Sequence, residues 1–584
     1  MTTPKKLWKL LSPEHRRSAL AMLGLMLIGM VLETLGIGLV IPALALMTQG
    51  DLASNYPVLV PWLNSVGNPS HNRLIIIGML MLVGVYLVKA LFLAFLAWRQ
   101  ACFVFGIQAN ISQRLFAGYL RQPYSFHLQR NSAELIRNTI GHASSITSVI
   151  QQGLLSLTEI LVLLGISALL LTVEPLGALL VVSTLGLAGW GLNRFTHNQI
   201  LRWGKTIQHH EGMRIQHLQQ GLGGAKDVKL LGRESEFLSQ YWAHNTGISQ
   251  VCQLQATAQA IPRLLLELLA ITGLAALVMV MIGQGKPWEA LLPTLGLFAA
   301  AAFRLMPSVN RVLVAMQYAR FYLPVIDTLH DELRLLDATE TPQRSKPLSF
   351  NRALTLEQVC FHYPSAEATV LHNVSLSIPS GGSVGFIGGS GAGKSTLVDI
   401  ILGLLTPVSG AVKADGIDLQ TNLRGWQDRI GYVPQSIFLT DDTLRRNVAF
   451  GLSNEQIDEN AVWRAIRSAQ LEQFVLELPQ GLDTVVGERG IRLSGGQRQR
   501  IGVARALYHD PAILVLDEAT SSLDIATEKG VMEAVRSLHG EKTIIIVAHR
   551  LSTVSHCDYL YRFEKGVMVE EGAANYVLRN QPTT

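Results

Sequence analysis

The sequence predicts two parts of different fold class: an α-helical transmembrane domain of six spans at residues 1–334, fused through a linker at 335–350 to a cytoplasmic α/β P-loop domain at residues 351–584. Three observations predict this. Apolar residues make up 49% of the 584 and charged residues only 16%, against about 25% charged in an ordinary soluble domain. Six long apolar stretches all lie before Arg320. Beyond residue 351 the apolar runs are short and β-branched, and one opens into Gly388-Gly389-Ser390-Gly391-Ala392-Gly393-Lys394-Ser395. A chain of this length exceeds what a single core organises.

The apolar stretches lie at 19–47, 74–98, 150–172, 176–192, 264–282 and 290–316; about 20 residues suffice to cross a bilayer as a helix. The fourth is short, so its helix is expected to continue into polar sequence past Arg194. Lys5, Lys6, Lys9, Arg16 and Arg17 precede the first run, and Ala43-Leu44-Ala45 has the form of a cleavage triplet. The run is longer than the roughly 7–15 residues of a signal-peptide core, so it reads as an uncleaved span. Basic residues set the orientation. They cluster at the N-terminus, after the second span (Arg114, Arg121, Arg130, Arg137) and after the fourth (Arg202, Lys205, Arg214, Lys226, Lys229, Arg233); the other three loops hold little beyond Arg73 and Lys286. Positive-inside then puts the N-terminus, both long loops and the C-terminal half in the cytoplasm. The same pattern accounts for the net charge of +5 without a nucleic-acid partner. Cys102, Cys252, Cys360 and Cys557 have no metal-site or redox-pair spacing and read as isolated reduced thiols. The first outer loop carries Tyr56-Pro57-Val58-Leu59-Val60-Pro61-Trp62-Leu63, which suits either an interfacial helix or a loop packed on the outer ends of the spans.

In the C-terminal half, Gly388, Gly389, Ser390, Gly391, Ala392 and Gly393 form a loop between an apolar strand, Ser383–Ile387, and a helix opening at Lys394, Ser395 and Thr396. Glycines let backbone N–H groups close around phosphate oxygens, where side chains would obstruct them. The lysine reaches the outer phosphates and the serine hydroxyl suits Mg²⁺. Ile513-Leu514-Val515-Leu516-Asp517 reads as a buried strand ending in a Mg²⁺-holding carboxylate, and Glu518 is the candidate general base for a hydrolytic water.

About a hundred residues past the loop stands Leu493-Ser494-Gly495-Gly496-Gln497. With this pentapeptide the chain resembles the ATP-binding cassette (ABC) ATPases from roughly Leu354 to Leu578. The resemblance implies ATP and Mg²⁺ as cofactors. It implies that Tyr363 stacks on adenine and that Gln435, in Val433-Pro434-Gln435, touches Mg²⁺ or the attacking water. It implies a cross-linking loop at Val486–Gly490 and a dimer-contact loop at Ser521-Ser522-Leu523-Asp524. It also implies a γ-phosphate contact from His549. In that family Ser494, Gly495, Gly496 and Gln497 of one subunit complete the site on the phosphate loop of another. One membrane domain with one ATPase domain is then half a transporter, and a second copy of the chain is the default partner, a different half-transporter the alternative. Six spans resemble the exporter branch, which implies coupling helices near Tyr124–Asn131 and Gly221–Arg233.

Charges inside the spans are the clue to cargo, because such groups are costly and usually face a cavity or a partner. Lys89 interrupts the second span, Arg263 opens the fifth, and Arg304 and Arg311 lie seven residues apart on nearly one face of the sixth. They read either as an anion-binding cavity open to the inner leaflet or as internal ion pairs, with Glu267 one turn from Arg263 and with Glu33 and Glu159 as further carboxylates. The stretches Pro123–Ser132, Leu230–Glu234 and Phe303–Arg311 are similar to the PglK-type flippases, which move lipid-linked oligosaccharides in bacterial protein N-glycosylation. That resemblance implies ATP-driven flipping of a polyprenyl-pyrophosphate glycan, with Lys89, Arg263, Arg304 and Arg311 at cavity positions. A general exporter of other lipids, peptides or drugs on the same scaffold is the alternative.

Overall fold

The computed structural model describes residues 3–39, 71–173, 175–283, 288–337, 348–364, 368–520, 525–548 and 550–579. The chain divides into two units, one of residues 1–122 and 130–339, the other of residues 123–129 and 340–584.

The first unit is helical throughout its described residues. Lipid offers no hydrogen bonds to the backbone, and a helix satisfies every N–H and C=O within itself. In chain order the helices are α1 (Thr3–Leu10), α2 (Pro13–Gly38), α3 (His71–Arg121), α4 (Tyr124–Gln129, grouped with the second unit), α5 (Ser132–Ile136), α6 (Ala143–Val173), α7 (Pro175–Gly223), α8 (Ala225–Leu231), α9 (Glu234–Gly283), α10 (Trp288–Phe321) and α11 (Leu323–Asp337). The six expected spans fall one each on α2, α3, α6, α7, α9 and α10, the end of the first lying outside the described residues. Four helical stretches, Pro13–Gly36, Ile75–Arg121, Ser132–Leu169 and Glu234–Gly273, are long and apolar enough to cross a membrane among the described residues. Helices α3, α7 and α9 run for 51, 49 and 50 residues. At about 1.5 Å per residue each is roughly 75 Å long, far more than the ~30 Å of hydrocarbon. Helix α7 therefore continues past Arg194, as the short fourth apolar run required. The short helices α4 and α8 occupy the two stretches where coupling helices were expected. Gly232 ends α8 in the left-handed conformation at φ 61°.

The second unit holds two sheets. One has four strands in the order β2-β1-β4-β5, with β1 Ala353–Phe361, β2 Leu371–Pro379, β4 Ser409–Ala414 and β5 Ile417–Asp418, all antiparallel. The other has six strands in the order β10-β9-β3-β8-β7-β6, with β3 Ser383–Gly388, β6 Ile430–Val433, β7 Ile513–Asp517, β8 Thr543–Val547, β9 Tyr559–Glu564 and β10 Val567–Ala573. All its pairs are parallel except β10 with β9. Strands β7 and β8 are buried along their whole length, which is why they read as unbroken apolar runs rather than alternating ones. Two apolar cores cover the faces of the sheets. In the second, Trp426 is fully buried and donates its indole N–H to Ile401 O at 2.7 Å.

Candidate functional site

The phosphate loop leaves the C-terminal end of β3 and enters helix α12 (Lys394–Ile401), the crevice where open parallel sheets take ligands. Gly393 has φ 92°, and a Cβ there would lie 2.8 Å from Leu371 Cδ2, so only glycine gives the turn its shape. Gly388 is also left-handed, at φ 150°. Gly389, Ser390, Gly391 and Ser395 are exposed, while Ala392, Lys394 and Thr396 are buried and anchor the loop. A Cβ on Gly389 or Gly391 would meet nothing within 4 Å. The loop is an open backbone cradle at a helix N-terminus, which fits a nucleotide phosphate.

Lys394 is 4% exposed and donates to Gly388 O at 2.8 Å and Gly389 O at 3.0 Å. Burial lowers its pKa, against the pull of the Glu518 and Asp517 carboxylates. Asp517 ends β7 and is 9% exposed, with the Tyr432 hydroxyl donating to it at 3.5 Å. Glu518 has φ 48°, and its N–H donates to Val547 O at 3.0 Å. Gln435 Nε2 donates to Glu518 Oε2 at 2.7 Å, so two of the expected catalytic residues meet, 83 positions apart in sequence. Asp399, on α12, is pushed up to about 6 by burial and then by Asp517. Sequence reading missed it, because a single aspartate inside a helix carries no motif. The residues present fit a Mg²⁺–ATP complex: a carboxylate, a hydroxyl and an amide oxygen are the ligands a hard cation takes.

Tyr363 is half-buried. Its ring meets Phe361 edge-on at 5.1 Å and its hydroxyl lies 3.1 Å from Thr396 Oγ1. That contact ties the tyrosine to the helix of the phosphate loop. The signature residues do something else locally. Ser494 caps α13 (Gly495–Leu507): its hydroxyl accepts from Gln497 N at 3.2 Å, and Gln497 Oε1 accepts from Ser494 N at 2.8 Å. This reciprocal capping box leaves Ser494 and Gly495 exposed at a helix N-terminus. A groove of about 560 Å³ runs between Gln435–Phe438, Arg489, Gly495, Arg498 and Gln499. His549 and Ser521–Asp524 lie outside the described residues, as does the outer-loop stretch Tyr56–Leu63.

In the first unit Lys89, Arg263 and Arg311 have carboxylate partners. Lys89 Nζ lies 2.8 Å from Glu33 Oε2, with the side chains 14% and 9% exposed, and sits over the Tyr86 ring at 4.8 Å. Arg263 pairs with Glu267 at 2.9 Å but stays 73% exposed. Arg311 pairs with Glu159, which also accepts from Ser308 Oγ at 2.5 Å; the arginine is 56% exposed and the glutamate 6%. Arg304 lies on α10, and its side chain is outside the described residues. An apolar cavity of about 500 Å³ opens among α6, α7 and α10, lined by Ile160, Leu164, Trp190, Asn193, Val309 and Met316.

Comparison with known proteins agrees with this architecture. The family described as ABC transporter transmembrane region matches residues 45–285, and the family described as ABC transporter matches residues 371–521. An ATP-dependent lipid A-core flippase of Alkalilimnicola ehrlichii is 30% identical over 80% of this chain and 80% of its own length. One of Thiobacillus denitrificans is 29% identical over 97% of this chain and 95% of its own. A solved bacterial Atm1-family ABC exporter with ATP bound superposes with a TM-score of 0.78 at 23% identity, over 97% of this chain and 96% of that one. A helical membrane domain and an ABC ATPase domain thus share one polypeptide, and the chain belongs to the ABC transporter family as an exporter-type half-transporter that couples ATP hydrolysis to transport.

Proposed function

We propose that the chain is a flippase for a phosphate-bearing glycolipid, moving it from the inner to the outer leaflet of a bacterial cytoplasmic membrane as a homodimer. The narrower reading is a polyprenyl-pyrophosphate-linked oligosaccharide. Residues 1–334 form the membrane domain, 335–350 the linker and 351–584 the ATPase domain. The observation that carries the lipid reading is Arg311: its pair with buried Glu159 uses one edge of the guanidinium, and more than half of the side chain stays accessible inside a spanning helix. A planar five-donor cation suits phosphate or pyrophosphate oxygens. The nearby apolar cavity suits a lipid chain, and the relatives' names point to a glycolipid as well. Arg263 and Arg304 join Arg311 in this proposal, while Lys89, nearly buried against Glu33, serves more in holding α2 to α3. An exporter of another lipid, peptide or drug is the alternative.

In the ATPase domain, ATP lies on Gly388–Thr396 with Tyr363 against its base. Mg²⁺ is held by Ser395, Gln435 and Asp517, Glu518 takes the proton of the attacking water, and His549 contacts the γ-phosphate. Ser494–Gln497 of the second copy close the site. Purified protein in proteoliposomes tests the cargo, with Glu518→Gln as the blank. ATP-dependent flipping of a polyprenyl-pyrophosphate oligosaccharide supports the narrow reading. Flipping of a lipid A-type glycolipid alone would keep the flippase and replace the cargo. Vigorous ATPase with movement of neither would overturn the glycolipid reading.

A further inference from the structure

Arg505 stands in the last turn of α13, in the otherwise apolar run Val503-Ala504-Arg505-Ala506-Leu507. Its guanidinium is spent inside the ATPase unit. Nη1 donates to Phe438 O at 2.7 Å, Nε to Asn447 O at 2.8 Å and Nη2 to Asn447 Oδ1 at 3.2 Å. The Phe450 ring lies 4.5 Å below it. Burial lowers its pKa to about 10, so it stays charged at neutral pH. Asn447, fully buried on the helix Leu444–Val448, extends the clamp. Its Oδ1 accepts from Thr440 N at 3.0 Å, and its Nδ2 donates to Thr440 O and Thr443 O, each at 3.1 Å. One residue before Phe438, Ile437 packs into the surface of α13 at Gly502, where any Cβ would collide with its side chain. The segment leaving Gln435 is therefore bound to the helix whose N-terminus is Ser494.

We propose that Arg505 is a positioning residue: it locks the segment 437–450 to α13, so that the Gln435 amide against Glu518 and the signature end of the same helix move as one body. Three hydrogen bonds from one planar fork fix orientation as well as distance, which a single ammonium does not. Gln435 sits three residues before the Phe438 carbonyl that Arg505 holds, so a loosened clamp changes where the amide stands relative to Glu518. The phosphate loop makes none of these contacts, so its own cradle for ATP stays in place. The inference rests on the roles proposed above for Gln435 and Glu518.

The test is a double-mutant cycle in the full-length transporter. Arg505→Met and Gln435→Ala are each expected to lower kcat about tenfold or more, with any change in the KM for ATP the same in both. The double variant is expected to be no slower than the slower single, because both act through one amide. Arg505→Lys, which keeps charge and volume, covers the case in which the methionine variant fails to fold; it is expected to fall between wild type and Gln435→Ala in both kcat and KM. Multiplicative losses in the double variant would overturn the proposal. So would a rise in KM in Arg505→Met that Gln435→Ala does not share and that follows a lowered melting temperature, which marks a merely structural role. Unchanged hydrolysis in Gln435→Ala alone would refute the reading of Gln435 and, with it, this inference; multiplicative losses with an impaired Gln435→Ala would refute only the inference.

Discussion

The nucleotide crevice and the membrane unit treat buried charge in opposite ways. Around the phosphate loop, like and unlike charges face an open crevice. Lys394 is held by carbonyl dipoles rather than by a direct carboxylate pair, and the Asp399 carboxyl is raised to about 6 near Asp517. In the membrane unit Lys89, Arg263 and Arg311 each meet a carboxylate of the same chain. The physical difference is the medium. A crevice open to water can carry charged groups whose counter-charge a polyphosphate and a divalent cation supply. A span facing lipid has no such counter-charge and neutralises its own. An intramembrane cation is therefore weaker evidence for a ligand than a buried lysine under a glycine loop, and what remains accessible after pairing carries the argument.

The sharpest way to break this contrast lies in the ATPase unit. Glu518→Gln should still bind ATP yet lose hydrolysis by about 10²- to 10⁴-fold, the usual worth of a general base. Near-normal turnover measured by phosphate release would remove Glu518 from that role. In the membrane unit, Lys89→Met takes away the cation facing Glu33, which is 9% exposed. A loss of about 3 kcal/mol is expected, and the added change Glu33→Gln should recover most of it; thermal unfolding in detergent reads both, and an unchanged midpoint for Lys89→Met would count against a structural pair. Arg311→Ala should leave basal ATPase within about twofold while glycolipid flipping falls about tenfold, the loss of a charge-assisted contact of roughly 1.4 kcal/mol. Equal flipping by both proteins would return Arg311 to a purely structural pair with Glu159.

A pH dependence gives a separate test. The Asp399 pKa in the folded protein, about 6, stands above the usual 3.8, so the folded state binds the proton more tightly than the unfolded chain. That contribution is fully present below about pH 3.8 and is lost as pH rises through about 6. Asp399→Asn should then raise the melting temperature of the protein above pH 6 and leave it unchanged near pH 4. A shift of the same size at both values would show that the charge is not the cause.

Much of the candidate nucleotide site was legible beforehand because the chemistry proposed for it needs particular residue types at close spacing. Gly388–Ser395, Asp517 with Glu518, and Ser494–Gln497 are each contiguous, and each lies where a strand or helix terminus presents it. What joins them is not contiguous. The Gln435–Glu518 hydrogen bond spans 83 residues, and the Arg505 clamp reaches 58 and 67 residues back. Tyr363 was expected to lie by the base, and its hydroxyl contact with Thr396 has no trace in local pattern. The long helices of the membrane unit were foreshadowed by apolar length and by the polar sequence after the fourth run. Their pairing was not, because apolar periodicity says that a helix crosses the membrane but not which neighbour it meets.

The sequence by itself determined the two fold classes, the order of the parts and the identity of the nucleotide chemistry. These depend on composition, on run length and on short motifs whose geometry is local. Only the tertiary structure decided which charges are shared. It brought Lys89 to Glu33, Arg311 to Glu159 and Arg505 to the backbone of the loop beyond Gln435. Coulomb and hydrogen-bond energies depend on distances of a few ångströms between residues far apart in the chain, and those distances exist only once the helices and sheets have packed.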